Sequence, residues 1–387
     1  MAKKSPIMRF FELNMGPHDA LFAQLPSREL VRLMQTCRLI RNLAHEVCFS
    51  LTRLLVPFFG DRAQVDRFRQ IQADTGTLIS GSMALQFLER TTYPGSDLDL
   101  YAYKAHAERP VAFILENGYV FKPRAQKTTN VIDDLFRDLE MAVDVPQKPD
   151  VFDHLCSLLG VSHRVSRYPA NGIVDMLEFT KGDKKIQLML AKASPVEVIL
   201  DFHSTVVMNL ISHASAYSLY PWSTFVTKRA VQVGYSMTSR EEGRQKYIDR
   251  GWQMSSSAPT STEFQGLRWV GDRHTWTLPL PLPAKASKTD FATGNSWKFD
   301  PQTHLHDIAG TQLGCGHPHL RFSYFVAGLP RDLALDLMKE AVKNASLFPQ
   351  MDADFHLLVL LMIYRETHVL IEREVKSTLH ELGFSVQ

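Results

Sequence analysis

Cysteine is scarce and unpaired in this sequence: four in 387 residues, Cys37, Cys48, Cys156 and Cys315, none in a CxxC pair. That pattern fits a reducing compartment, with Cys37 and Cys48 packed inside helices rather than bridged. Long hydrophobic runs are also missing. The longest, Leu357 to Ile363, is far shorter than the roughly 20 residues needed to cross a bilayer. The first residues, Met1 to Phe11, carry Lys3 and Lys4 but no apolar stretch of the signal-peptide kind. Net charge is small, +2 from 43 Lys and Arg against 41 Asp and Glu, so bulk electrostatics makes no case for nucleic acid or a membrane. No P-loop lysine motif, GxGxxG or GxSxG elbow occurs, which removes the usual kinase-like, dinucleotide and hydrolase chemistries. There is no internal repeat. The expectation from these absences is a cytoplasmic or nuclear protein with no membrane partner.

What is present is the composition of a folded chain, 45% hydrophobic and 22% charged, with a length that implies two or three domains. Residues 19–70 show apolar positions near a 3.6-residue period, among them Leu21, Leu25, Leu30, Leu33 and Met34, and predict helices, with Ser27 a start after Pro26. Thr77-Leu78-Ile79 predicts a short strand entering Ser80-Gly81-Ser82, after which helical spacing resumes. Leu98, Leu100 and Ala102 alternate with Asp97, Asp99 and Tyr101, the period of a strand with one polar face. Pro110 to Glu116 and Asp150 to Leu159 predict helices. Asp175 to Thr180 and Lys185 to Leu190 predict a hairpin across Lys181-Gly182-Asp183-Lys184. Val196 to Phe202 follows as helix or strand, Ser204 to His213 as a helix, Leu278 to Ala286 as an extended stretch. Residues 330–344 and 353–382 close the chain as helices.

Two signals in LISGSMALQFLERTTYPGSDLDLY carry chemistry. A strand running through Gly81 and Ser82 into a helix presents backbone N–H groups to an anion, and glycine allows a phosphate to come close. In Asp97-Leu98-Asp99-Leu100 the carboxylates project from one face while the leucines enter the core. Two neighbouring carboxylates repel unless a cation lies between them, which suits Mg²⁺ or Mn²⁺ bound with the triphosphate of an NTP.

In their order and spacing the two signals resemble the polymerase-beta-like nucleotidyltransferase superfamily, whose motif is a hydrophobic residue, Gly-Gly or Gly-Ser, a helix, then Asp-h-Asp-h. The likeness covers residues 78–101, and the fourteen residues between Ser82 and Asp97 make a slightly long gap. SGSMALQFLERTTYPGSDLDLY is more closely similar to a group of fungal proteins with a nucleotidyltransferase-like domain, the resemblance extending through IQLMLAKASPVEVILDFHSTVVMN over roughly residues 20–270. It implies a small mixed sheet as a nucleotidyltransferase-like core over 71–225, and with the helical periodicities on either side the expectation is an α+β fold with a helical N-terminal cap over 1–70 and a partly helical C-terminal domain over 226–387. The implied activity is Mg²⁺-dependent transfer of a nucleoside monophosphate from an NTP to a hydroxyl acceptor, whether RNA, protein or small molecule. Gly81 and Ser82 would hold the phosphates, and Asp97 and Asp99 the metal. The superfamily places a third carboxylate on a later strand, where this chain has Phe202-His203. Asp201, one residue earlier, is the substitute, provided that a bulge or helix start re-aims it. Asp175 and Glu178 are alternatives, and Gln187 occupies a strand position where a carboxylate would fit.

The rival expectation is a catalytically inactive nucleotidyltransferase-like module used for binding or as an adaptor. LPSRELVRLMQTCRLIRNLA faintly resembles an F-box, with its Leu-Pro opening and Cys-Arg helix, although it is shorter and lacks the middle segment. The N-terminal helices would then meet a protein partner; as plain chemistry they read as an amphipathic cap. Lys184, Lys185, Lys228 and Arg229 could bind phosphate but read as solvated charges. Arg240, Arg244, Lys246, Tyr247 and Arg250 mark a basic helix able to line the acceptor side of a cleft, although a charged outer face is the commoner explanation. His304, His306, Cys315, His317 and His319 match no zinc-finger spacing, and Trp269, Trp276 and Trp297 read as anchors of the C-terminal core.

Overall fold

The computed structural model describes residues 17–123, 172–234, 238–300, 305–306, 311–314 and 319–381. Among the described residues five helices come first: α1 (Pro17–Gln24), α2 (Ser27–Met34), α3 (Arg38–Cys48), α4 (Leu51–Phe59) and α5 (Arg62–Thr75). Their starts follow local chemistry. Ser50 caps α4 by accepting from the Arg53 N–H, and Asp61 caps α5 by accepting from Gln64 at 2.8 Å. Ser27 does open α2, but its hydroxyl is not a cap; it donates instead to the Leu88 carbonyl at 3.0 Å.

The chain then builds β1 (Leu78–Ile79), α6 (Gly81–Glu89), β2 (Leu98–Tyr103), α7 (Glu108–Glu116) and β3 (Val120–Lys122). The predicted hairpin is β4 (Ile173–Lys181) and β5 (Lys184–Ala191), paired Lys181 to Lys184 so that Gly182 and Asp183 form the turn. Then come α8 (Pro195–Leu200), β6 (Asn209–Ile211) and β7 (Ser215–Ser218). The expected helix over Ser204 to His213 is therefore wrong. Those residues are a short 3₁₀ turn, Thr205–Val207, and the strand β6, because Leu210 and Ile211 enter the sheet between β1 and β7. A run this short and this apolar carries no period to tell strand from helix.

A parallel pair, β8 (Arg229–Val231) and β9 (Gln253–Ser255), is connected through α9 (Thr238–Ile248). The C-terminal part adds β10 (Leu267–Trp269), β11 (Trp276–Pro279), β12 (Ser296–Asp300), β13 (Leu305–His306), β14 (Thr311–Leu313), β15 (Tyr324–Val326) and the packed helices α10 (Arg331–Leu347) and α11 (Ala353–Glu381). The expected helix over Asp150 to Leu159 lies outside the described residues.

The principal sheet has eight strands in the order β11-β7-β6-β1-β2-β5-β4-β3 and is mixed, with β2 and β5 its parallel pair. The fold is α+β. Alternation divides the sheet into two faces. Leu98, Leu100, Ile186, Leu188 and Phe179 join Phe22, Leu30, Phe59 and Phe68 of the N-terminal helices in one buried cluster. Tyr101, Tyr103 and Met189 point the other way, into a cluster shared with Trp297, Phe322, Tyr324 and Leu357 from later in the chain. The sheet does not end where residue 225 does, since its edge strand β11 is Trp276–Pro279. Trp276 accordingly corrects one expectation. It packs on Phe49 and Phe225, in the cluster of the N-terminal helices, whereas Trp297 is buried in the C-terminal one with its Nε1–H donating to Tyr220.

Candidate acid-pair site

The polar residues of β2 lie on the second face, the one covered by later parts of the chain. β1 ends at Ile79, and Ser80 fastens the turn: its N–H donates to the Asp99 carbonyl at 3.1 Å and its hydroxyl to the Asn209 carbonyl at 2.6 Å. Gly81 then starts α6 with φ +64°. A Cβ at Gly81 would strike Asp99 Oδ2, so glycine is required both by the left-handed backbone and by the closeness of that carboxylate. Ser82 is buried in the first turn of α6.

Asp97 immediately precedes β2 and Asp99 lies within it. In register, Asp99 faces Gln187 on β5, and Gln187 faces Glu178 on β4. The row across three strands is thus carboxylate, amide, carboxylate, and Gln187 Nε2 donates to Glu178 at 3.4 Å. Lys185, two residues before Gln187 and so on the same face, puts its Nζ 2.6 Å from Asp97 and 4.0 Å from Glu178. Burial, together with the charge of Asp97, pushes the Asp99 carboxyl up to about 7, while Lys246 and Lys185 act in the opposite direction. The hydrogen bond to Asp97 raises Lys185. Tyr101, buried beside Asp99, is held well above the usual phenol range, first by burial and then by that carboxylate.

The wall over this face is α9. Arg240 and Arg244 turn inward: Arg240 holds Asp201 through both carboxylate oxygens at 3.0 and 2.9 Å, and Arg244 donates to the carbonyls of His203 and Val233. Gly243 lets the helix lie on His203, where a Cβ would sit 2.6 Å from the ring. Burial and the two arginines push His203 down to about 4. His203 packs against Tyr247, and Phe202 against Tyr101. Lys246 reaches the acid pair electrostatically, and burial lowers it despite the attraction of both carboxylates.

Gly81, Ser82, Asp97 and Asp99 therefore come together. Asp201 does not adopt a strand position: it follows the last turn of α8 and is taken up by Arg240. Among the described residues no cluster of three His, Cys, Asp or Glu side chains suited to a metal forms. Lys184 pairs with Asp183 and Lys228 with Glu89, so these two lysines are engaged at the surface. His304, Cys315 and His317 lie outside the described residues. Sequence reasoning missed the bond of Lys185 to Asp97. It follows only once β5 is known to lie parallel to β2 with Gln187 beside Asp99, since period two then carries Lys185 beside Asp97. Among the described residues no single helix is long and apolar enough to cross a membrane. Comparison with protein-family models, with curated proteins and with solved structures finds no match.

Proposed function

We propose that the protein binds a nucleoside triphosphate with Mg²⁺ at the Gly81 turn and the Asp97/Asp99 pair, in a nucleotidyltransferase-like core, and that this site binds without transferring. The observation that carries the reading is the contact of Gly81 with Asp99, which puts a phosphate-approachable helix start against a carboxylate. The residues fit one divalent cation. A desolvated carboxylate raised to about 7 beside a second carboxylate is relieved by positive charge, and Asp97 and Asp99 would hold it. When bound, the ion would neutralise and orient the phosphates. The protein's own groups hold the phosphate end at Gly81 and Ser82 and close the face with α9.

Binding without transfer is favoured by Gln187. It occupies the place beside Asp99 where a third carboxylate would share a metal, and an amide supplies no charge. Calorimetric titration of ATP with and without Mg²⁺ tests the reading. Mg²⁺ should strengthen binding, and Asp97→Asn with Asp99→Asn should abolish that dependence. Metal-dependent affinity that survives in the folded double variant would move any nucleotide site elsewhere.

The second reading is the nucleotidyltransferase itself, acting on an RNA, protein or small-molecule hydroxyl. It is favoured by Lys185, which ties Glu178 to Asp97 and so brings a third carboxylate toward the pair. Label transfer from α-labelled NTPs into an RNA and protein extract, lost in Glu178→Gln and retained in Asp201→Asn, would establish it over simple binding.

A further inference from the structure

Most cations of the acid pair and of the α9 region already have anionic partners: Lys185 has Asp97, Lys228 has Glu89, Arg240 has Asp201 and Arg244 has Glu241. Two do not. Lys246, near the end of α9, and Arg250, four residues on, make no ion pair with any described residue, although Lys246 interacts electrostatically with both Asp97 and Asp99. Arg250 is held in place nevertheless. Its guanidinium carbon lies 3.7 Å from the centre of the Tyr93 ring and 5.2 Å from that of Tyr247, and its Nη1 is buried without an acceptor. Tyr93 in turn is fixed, its N–H donating to Gln86 at 2.6 Å and its hydroxyl to Glu89 at 2.8 Å. An ordered guanidinium whose Nη1 lacks an acceptor, beside an ammonium of the same helix end, has the form of an anion receptor. Two cations also suit an anion of more than one charge. The carboxylates of the acid pair oppose an anion held by Lys246, so a metal bound between them strengthens its binding.

We propose that Lys246 and Arg250 form an oligophosphate subsite that takes the terminal phosphates of a nucleoside triphosphate from the α9 side, with Tyr93 and Tyr247 setting the guanidinium plane. The assignment of the phosphates to a nucleotide rests on the reading above; the subsite for oligophosphate does not.

The test is calorimetry on the full chain with inorganic triphosphate, ATP and adenosine. Wild type should bind inorganic triphosphate without metal, and Arg250→Gln and Lys246→Gln should each weaken it by about tenfold or more, as expected for a charge-assisted contact. Arg250→Lys should recover part of the loss. Glu242→Gln, on an exposed position of the same helix, should change nothing. Adenosine binding should not respond to either cation. In Asp97→Asn with Asp99→Asn, metal-free triphosphate binding should persist or tighten, because two opposing charges are gone. Absence of triphosphate binding by wild type, or equal binding by wild type and both single variants, overturns the subsite. Should Arg250→Gln fail to fold, Lys246→Gln decides, since Lys246 makes no hydrogen bond or ion pair with a described residue that the change would break and keeps an exposed surface. Dependence on Lys246 and Arg250 alongside an Mg²⁺ effect that ignores the two aspartates would keep the subsite and reject the acid pair as the nucleotide site.

Discussion

Asp99→Asn should stabilise the protein above neutral pH, and the structure sets the size of the effect. Burial and the neighbouring Asp97 carry the Asp99 carboxyl from 3.8 to about 7. Between those values the folded state binds more protons than the unfolded one, so stability falls as pH rises through this window. At about 1.36 kcal/mol for each pH unit, the full span corresponds to about 4 kcal/mol, of which about 2 to 3 kcal/mol falls between about pH 5 and pH 8. His203 runs the other way: held down to about 4, it makes stability fall as pH drops from 6.5 toward 4. The wild-type profile is therefore a sum of opposed slopes, and the variant has to be compared with wild type at each pH. Urea unfolding across this range should show the Asp99→Asn advantage growing from small at about pH 5 to its largest at about pH 8, with an unchanged m-value. Mg²⁺ should narrow the gap by stabilising only wild type. Parallel pH profiles, or a variant less stable than wild type at the alkaline end, would refute a desolvated, charge-repelled Asp99.

Three further outcomes follow from the same geometry. Gly81→Ala should lower stability by more than Gly95→Ala: both have positive φ, costing about 1–2 kcal/mol, but a Cβ at Gly95 meets nothing within 4 Å while one at Gly81 meets Asp99. Thermal unfolding measures the difference, and equal losses would remove the contact as a constraint. Asp201→Asn should cost about 1–3 kcal/mol by weakening the hold of Arg240 and leave ATP affinity unchanged; a tenfold loss of ATP affinity at undiminished stability would return Asp201 to the site. Gln187→Asp should tighten Mn²⁺ binding and destabilise the metal-free protein, because it sets a third carboxylate directly beside Asp99; a Mn²⁺ titration identical to wild type would show that Lys185, not the missing acid, limits metal affinity.

The local elements of the site are legible in the order of the residues. The turn at Gly81, the helix after it, the polar face of β2 and the hairpin through Gly182-Asp183 follow from short-range rules: glycine where φ must be positive, period two in a strand, a two-residue turn between paired strands. The same order shows Asp201 out of step, since one residue changes a strand's face. What stands beside the acid pair comes instead from the way distant segments pack together. That β5 lies parallel to β2, placing Gln187 at Asp99 and Lys185 at Asp97, is a choice of strand neighbour that neither strand's own pattern encodes. The same holds for α9. Its charges read alike in the sequence, yet packing against His203 turns Arg240 and Arg244 inward, leaves Lys246 within electrostatic reach of the carboxylates and sets Arg250 against Tyr93 and Tyr247. Periodicity fixes which residues share a face, whereas the burial of that face against distant chain fixes which charges meet.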